Sequence, residues 1–256
     1  MTPAGNTLLV TGGGSGIGRG LAEALHRRGN QIIIAGRRLA ALAEVAAANP
    51  GMHTVELDVA SPDSIARTVP ALLQRFPALN GVVNNAGIQQ PDDVGQGLDE
   101  AVLQATFATN LLGPIRLNAA LLGHLRRQPA AIIVNVTSML GHLPLADAAL
   151  YSASKAALHS YTLSLRYQLQ GSTVEVLEIA PPYVQTGLAT MNLADPRAMP
   201  LDQFIDETLT ALDSGAAEVL VPRARARRDA LRADEVAGTR QFNDAFRHGT
   251  HATPSP

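Results

Sequence analysis

The stretch TLLVTGGGSGIG, residues 7–18, decides the fold of this chain. Its first five residues are apolar or β-branched, which is typical of a buried strand. A glycine-rich turn follows, and GIGRGLAEALHRRG (16–29) then has the spacing of an amphipathic helix. A strand, a glycine turn and a helix in this order predict the first unit of an α/β sheet.

The same alternation continues along the chain. Six more short apolar runs lie at 31–36, 53–59, 80–87, 131–138, 173–182 and 217–222, and helix-length segments separate most of them. Such alternation implies right-handed crossovers between parallel strands. We therefore expect a doubly wound (Rossmann-type) α/β sandwich, with a seven-stranded, mostly parallel sheet and helices on both faces.

Length and composition predict one domain. The chain has 256 residues, of which 46% are hydrophobic but only 4% aromatic, so aliphatic side chains must build the core. We expect a single domain over 1–256. The long irregular segment 183–200 should lie at the carboxyl ends of the strands as a substrate lid.

The composition also argues against several classes of partner and site. The net charge of −2 gives no reason to expect nucleic acid or an anionic membrane surface, and the absence of cysteine excludes disulfides and thiolate chemistry. The seven histidines show no ligand spacing, so we expect no metal site. The basic run 223–232 reads as a solvated helix start. The N-terminus lacks signal-peptide features and no stretch approaches a membrane span, so a cytoplasmic protein is expected.

The glycines of the opening stretch follow the spacing Gly12-x-x-x-Gly16-x-Gly18. Glycines at a strand-to-helix turn let the backbone approach a pyrophosphate, and the helix N-terminus supplies N–H donors. The alternative is merely a tight turn. A hydrolase elbow does not fit, because Ile17 stands two residues after Ser15 where that motif needs glycine. The pattern favours dinucleotide binding.

A second motif is YSASK, in which Tyr151 and Lys155 are four residues apart. On a helix these positions share one face. An ammonium held near a phenol lowers the pKa of the phenol, so the pair can be a tuned acid/base. Two half-exposed residues on an amphipathic helix would give the same pentapeptide, which leaves both interpretations open.

Taken together, these motifs resemble the short-chain dehydrogenase/reductase family in its compact single-domain form. The resemblance runs from about Thr7 to Thr186. LEIAPPYVQTGL (177–188) and FNDAF (242–246) are similar to the subgroup of oxidoreductases associated with teichoic-acid D-alanylation operons. The motifs that carry the family resemblance are the glycine spacing, NNAG (84–87), Asn110, Ser138 and Tyr151-x-x-x-Lys155.

The resemblance implies a role for each of four catalytic residues. Tyr151 would exchange a proton with the substrate oxygen, and Lys155 would lower the pKa of Tyr151 and hold the nicotinamide ribose. Ser138 would hydrogen-bond the substrate oxygen. Asn110 would hold a water that links Lys155 to solvent. Ser138 could instead cap a turn, and Asn110 could satisfy a helix carbonyl.

The resemblance also implies a set of cofactor-binding residues. Asp58 and Val59 would bound the adenine, while Val184 and Thr186 would meet the nicotinamide carboxamide. Pro182 stands where the family usually has glycine, which predicts a stiffer nicotinamide end. The full set is Gly12, Ser15, Gly16, Ile17, Gly18, Arg37, Asp58, Val59, Asn85, Ala86, Gly87, Tyr151, Lys155, Val184 and Thr186.

The residues after the second predicted strand indicate which cofactor binds. NAD-binding folds place a carboxylate there to hold the ribose 2′-hydroxyl. This chain has no acidic residue from Ile32 to Ala43, but it has Arg37 and Arg38, whose guanidinium groups suit a 2′-phosphate. Ser15 stands where many NADP-preferring relatives carry a second basic residue. We expect NADP(H) to be favoured over NAD(H).

The expected substrate is a small-molecule carbonyl or alcohol, uncharged and largely apolar. Its pocket should present no lysine or arginine to bind a charged group. Asp195 lies close to Arg197 in the sequence and can occupy the Arg197 side chain. The alternative function is a non-catalytic dinucleotide-binding regulator. The expected pocket residues are Ile88, Gln89, Gln90, Met139, Leu140, His142, Leu143, Leu188, Met191 and Leu193.

The segment 151–170 is apolar on more than one face. A helix that is hydrophobic nearly all round is buried, yet the sheet can cover only one side of it. Together with the way family relatives pair, this predicts a homodimer or homotetramer.

Overall fold

In the computed structural model, which describes residues 4–93, 95–188 and 195–229, seven strands form one sheet. The strand order is β3-β2-β1-β4-β5-β6-β7, and every neighbouring pair is parallel. The predicted sheet is therefore confirmed. The strands are β1 Thr7–Thr11, β2 Gln31–Gly36, β3 His53–Glu56, β4 Leu79–Asn84, β5 Ala131–Val136, β6 Val174–Ile179 and β7 Glu218–Val219.

Eight α-helices accompany the sheet in the described part of the chain. A π-helical segment, Ala108–Leu112, joins the fourth to the fifth, so the helix predicted around Asn110 is continuous but locally widened. No described helix has both the length and the apolar character needed to cross a bilayer. The helices are α1 Gly16–Arg27, α2 Leu39–Ala48, α3 Pro62–Arg75, α4 Glu100–Phe107, α5 Gly113–Leu125, α6 Ala149–Gln168, α7 Leu201–Asp213 and α8 Pro222–Asp229.

Two hydrophobic cores lie on opposite faces of the sheet. Side chains alternate between the faces of a strand, so Leu8 and Val10 of β1 enter one core and Leu9 enters the other. Helices α1, α2, α7 and α8 cover the first core, and α3, α5 and α6 cover the second. These aliphatic layers are the helices on both faces that the alternation predicts.

The carboxyl ends of the strands carry the motifs. The strand order reverses between β1 and β4, which is where such sheets open a crevice for a ligand. The strands end earlier than the apolar runs suggest, since β4 stops at Asn84 and β5 at Val136. The motif residues that follow them leave the sheet and form loops around this crevice.

The expected lid begins and ends beside the sheet. The Met199 N–H donates to the Tyr183 carbonyl and the Gln185 N–H to the Met199 carbonyl, both at 2.8 Å. These bonds close the base of the 183–200 segment. Met191 and Leu193, like the FNDAF stretch at 242–246, lie outside the described residues.

Helix α6 corrects one expectation about assembly. Its large apolar side chains, such as Leu158, Leu163 and Leu165, are already buried within a single chain. The exposed positions are small or polar, namely Ala153, Ser160, Ser164 and Gln168. The apolar character of the helix therefore gives no argument for a partner subunit, and the homodimer or homotetramer stays a prediction.

Candidate active site

A cavity of about 1010 Å³ opens along the carboxyl ends of the strands. It runs from the loop after β2, past the glycine loop, to the start of α6. Two predicted site residues, Gly18 and Asn110, are not on its wall. The predicted residues that line it are Gly12, Ser15, Gly16, Ile17, Arg37, Asp58, Val59, Asn85, Ala86, Gly87, Ser138, Tyr151, Lys155, Val184 and Thr186.

The glycine loop forms a cradle without side chains. Gly12 has a φ of 69°, and a Cβ there would come 2.9 Å from Asn85 Nδ2. A Cβ on Gly18 would overlap the Gly12 carbonyl oxygen, so Gly18 lets α1 pack against the loop and faces away from the cavity. The bare backbone at Gly12 and Gly16 fits the close approach of a pyrophosphate.

Thr11, at the end of β1, is a residue that sequence reasoning missed. Its Oγ1 accepts hydrogen bonds from the backbone N–H groups of Asn85 and Ala86, both at 3.0 Å. The Asn85 amide donates in return to the Thr11 carbonyl, at 3.0 Å. Asn85 thus holds the two loops of the crevice together. A threonine directly before the glycines was the only available signal.

Two arginines stand at the far end of the cavity, after β2. Arg37 is exposed and forms no hydrogen bond or ion pair with any residue that the structure describes. Arg38, which was not among the predicted site residues, donates from Nη2 to Ser15 Oγ at 2.9 Å. Asp58 also faces the cavity, and its Oδ1 accepts from the Ala60 N–H at 3.0 Å. This end of the cavity fits a phosphate on the adenine ribose.

Three of the predicted catalytic residues meet at the other end. Ser138 follows β5, while Tyr151 and Lys155 lie one turn apart on α6, and all three are buried and border the cavity. The Lys155 Nζ donates to the Val136 carbonyl at 2.8 Å and lies 5.7 Å from the centre of the Tyr151 ring. Their side chains can contact one small ligand together.

Burial governs the electrostatics of this trio. Burial raises the pKa of Tyr151 to about 12, against the opposing effect of a hydrogen bond with Ser138. Burial also lowers the pKa of Lys155 to about 8. Burial acts against both charged forms, and the lowering of the Tyr151 pKa by Lys155 stays a prediction. The phenol is neutral at pH 7.

Asn110 lies behind the trio and is fully buried in the π-helical segment. Its Oδ1 accepts from the Ile88 N–H and its Nδ2 donates to the Ile88 carbonyl, both at 2.9 Å. Nδ2 also donates to Ser154 Oγ at 3.1 Å. Both amide protons are therefore used, and the side chain clamps the loop after Gly87. The expected water contact of Asn110 stays a prediction.

The wall beyond the trio is mainly apolar. Two of the expected pocket residues, Leu143 and His142, do not line the cavity. Leu145 and Tyr183, which were not expected, do line it. The expectation of a wall without lysine or arginine is wrong, because Arg197 and Arg223 line it. Asp195 binds Arg197 at 2.6 Å, as expected. The pocket residues that line the cavity as expected are Ile88, Gln89, Gln90, Met139, Leu140 and Leu188.

The histidines are not all scattered in space. His142, His159 and Glu178 bring potential ligand atoms within 4.8 Å of one another beside the catalytic loop. No sequence pattern predicts this cluster, because its members come from a loop, a helix and a strand that are separated in the chain.

Comparisons with known proteins agree with this geometry. A family model described as short chain dehydrogenase matches residues 6–197. The uncharacterized oxidoreductase DltE of Bacillus subtilis (strain 168) is 41% identical over 239 residues, which cover 91% of this chain and 95% of that one.

Solved structures share the fold. A short chain dehydrogenase from Burkholderia cenocepacia J2315 in complex with NADP superimposes with a TM-score of 0.77 at 27% identity, covering 99% of this chain and 100% of that one. A short chain dehydrogenase/reductase from Burkholderia phymatum in complex with NAD superimposes with a TM-score of 0.78 at 23% identity, covering 100% of this chain and 99% of that one.

The match to DltE confirms the subgroup that the sequence resembles. The family model covers the glycine loop, the NNAG loop and the Tyr151–Lys155 pair. The chain therefore belongs to the short-chain dehydrogenase/reductase family and is an oxidoreductase.

Proposed function

We propose that this protein is an NADP(H)-dependent reductase of apolar ketones or aldehydes, which also runs in reverse on the alcohols. The observation that carries the proposal is that Ser138, Tyr151 and Lys155 border the same cavity as the glycine cradle. When bound, the nicotinamide supplies the hydride.

The residues of the chain handle the substrate oxygen. The Tyr151 hydroxyl donates its proton to that oxygen during reduction, and the Ser138 hydroxyl orients it by a hydrogen bond. Lys155 holds the ribose hydroxyls beside the phenol. Because burial raises the pKa of Tyr151 to about 12, the phenol holds its proton at pH 7, as the proposed donor in carbonyl reduction must.

The preference for NADP(H) rests on Arg37 and Arg38. Both line the cavity after β2, and Arg37 has no partner among the described residues. A 2′-phosphate would give Arg37 charge-assisted hydrogen bonds that a ribose hydroxyl cannot match. Arg38 donates a hydrogen bond to Ser15 and so joins the loop after β2 to the glycine loop at this end of the cavity.

The apolar wall supports an uncharged substrate. Leu145, Tyr183 and Leu188 are exposed at the cavity although they are large and apolar, and Met139 lies deeper. A pocket with apolar walls and few polar groups is the usual small-molecule site. Arg223 favours a second candidate, a carbonyl substrate with a remote anionic group, because this arginine is among the residues that line the cavity.

Further predictions accompany the proposal. They are a single domain over 1–256 whose 183–200 segment acts as the lid, a cytoplasmic location, and a homodimer or homotetramer.

The test is NADPH oxidation by the purified protein with a panel of bulky apolar ketones, keto acids and sugar phosphates, repeated with NADH. We expect the fastest turnover with apolar ketones and NADPH. Best turnover with keto acids would support the anionic candidate and contradict the first. Tight NADPH binding without turnover on any carbonyl would favour a non-catalytic regulator.

A further inference from the structure

A buried carboxylate joins two elements of the candidate active site. The Thr137 hydroxyl donates to Glu178 Oε1 at 2.6 Å. His159 Nδ1 lies 2.9 Å from the same oxygen and 2.8 Å from Oε2. All three residues are buried, and Glu178 is 0% exposed. One side chain of β6 therefore binds both the end of β5 and helix α6.

The positions of its two partners give this bridge its importance. Thr137 directly precedes Ser138. His159 lies four residues after Lys155 and eight after Tyr151, so it is on the same face of α6, one and two turns further on. A side-chain path through Glu178 thus joins the residue beside Ser138 to the helix of Tyr151, in addition to the direct hydrogen bond between Ser138 and Tyr151.

The loop after Ser138 also packs directly on α6. A Cβ on Gly141 would come 3.0 Å from the backbone carbon of Lys155. One turn further along, the His142 ring lies edge-on to the His159 ring, with centroids 4.5 Å apart. The loop after Ser138 thus contacts α6 directly, and Glu178 ties the same helix to the residue before Ser138.

Burying a carboxylate costs free energy unless it is paired, so a structural reason is needed for Glu178. Burial is the largest single effect and works to raise its pKa, but the hydrogen bonds from His159 and Thr137 and the nearby His159 and His142 charges together hold the pKa below the usual range. The neighbouring Glu218 has its own cation, since its Oε2 is 3.1 Å from Arg228 Nη2. Each carboxylate already has protein partners, which favours a fixed bridge over a metal site.

We propose that Thr137, Glu178 and His159 are positioning residues that set the separation between the Ser138 hydroxyl and the Tyr151 hydroxyl. The proposal rests on the proposed function of these two groups. A shift of about 1 Å in a reacting group can cost about a hundredfold in rate, so a bridge at this place affects turnover more than cofactor binding.

The test compares two buried threonines. Thr137→Val removes the bond to Glu178, while Thr162→Val removes another buried side-chain bond between β5 and α6, in which Asn135 Nδ2 donates to Thr162 Oγ1 at 2.9 Å. The assay is NADPH-dependent reduction of benzil, an apolar diketone. We expect Thr137→Val to lower kcat about tenfold or more, and Thr162→Val to change it less than about twofold. The KM for NADPH should be unchanged in both.

Two further variants sharpen the comparison. Thr137→Ser restores the hydroxyl and should restore kcat. His159→Gln combined with Thr137→Val should lower kcat no further than the worse single variant, because both act through Glu178. The proposal is overturned if both threonine variants lose the same share of kcat and this loss parallels their loss of thermal stability. The bridge would then have a structural role only.

A crystal structure of Thr137→Val decides the question without any substrate. Displacement of the Ser138 hydroxyl relative to Tyr151 is expected, and an unmoved pair would overturn the proposal. An unmutated protein that reduces no carbonyl would instead contradict the proposed function, so the two failures are distinguishable.

Discussion

The two ends of the cavity are built from different materials. At the cofactor end the wall is glycine backbone, with the exposed Arg37 and Arg38 beside it. At the catalytic end two buried side chains that ionise, Tyr151 and Lys155, stand beside a mainly apolar wall. Charges of the first end keep their hydration, whereas burial shifts the pKa values at the second. Substitutions at the catalytic end should therefore have the larger effects.

The largest expected effect is that of Tyr151→Phe. Removing the proton donor should lower kcat by about 10²–10⁴-fold, while NADPH binding stays nearly intact. Turnover and calorimetric titration on the same preparation measure both quantities. Tyr161→Phe is the matched control, because Tyr161 lies on the same helix but outside the cavity wall. Near-normal turnover in Tyr151→Phe would show that Tyr151 is not the proton donor.

Lys155→Met should make the cofactor-free protein more stable. The folded pKa of about 8 is below the usual lysine pKa of 10.5, so the charged lysine costs about 3 kcal/mol at pH 7. Losing the hydrogen bond to the Val136 carbonyl destabilises the variant by about 1 kcal/mol. The free energy of unfolding of Lys155→Met should therefore be higher by about 2 kcal/mol.

The pH dependence of this gain has a definite sign. Between pH 8 and 10.5 the unfolded chain binds more protons than the folded one at Lys155, so unmutated stability rises with pH. The advantage of Lys155→Met should accordingly shrink over this window. Urea unfolding of both proteins at pH 7 and pH 10 measures it. An advantage independent of pH would show that burial does not act on the lysine charge.

A smaller effect is expected at the cofactor end. Arg37→Ala should narrow the preference for NADPH over NADH by about tenfold, since a charge-assisted hydrogen bond is worth about 1.5–3 kcal/mol and this one is partly exposed. Titration with both cofactors gives the ratio. Arg27→Ala, an exposed arginine away from the cavity, is the control. Equal affinities in the unmutated protein would leave Arg37 without a function.

The smallest effect is expected for Arg223→Ala. An exposed charge contributes about 0–1 kcal/mol, so the KM for an apolar ketone should change less than about twofold. Steady-state kinetics with one apolar ketone and one keto acid tests this. If the KM for the keto acid alone rises steeply and that acid is the better substrate, the substrate is anionic and the apolar proposal fails.

The same contrast explains what the sequence could predict. The glycine spacing and the strand–helix alternation are local patterns, and they predict the parallel sheet correctly; most of the predicted cofactor-binding residues also line one cavity. The runs predicted for β4 and β5 extend past Asn84 and Val136, because they include the loop residues of the motifs, 85–87 and 137–138.

Side-chain surroundings depend on segments that meet only in space. The pair Tyr151–Lys155 is visible in the sequence, but the burial that shifts both pKa values is not. Glu178 and His159 meet across 19 residues without any spacing signal. Arg223 reaches the cavity from α8, a segment whose composition indicates only a solvated helix.

The central claim is that hydride passes from the nicotinamide to a carbonyl carbon at the Ser138–Tyr151–Lys155 end of the cavity. NADPH that carries deuterium in place of both hydrogens of the reactive nicotinamide carbon, incubated with the best ketone of the panel, tests it most directly by mass spectrometry of the alcohol. The account predicts one deuterium on the carbinol carbon, and almost no labelled product from Tyr151→Phe. Unlabelled alcohol, or no alcohol from any carbonyl compound, would contradict it.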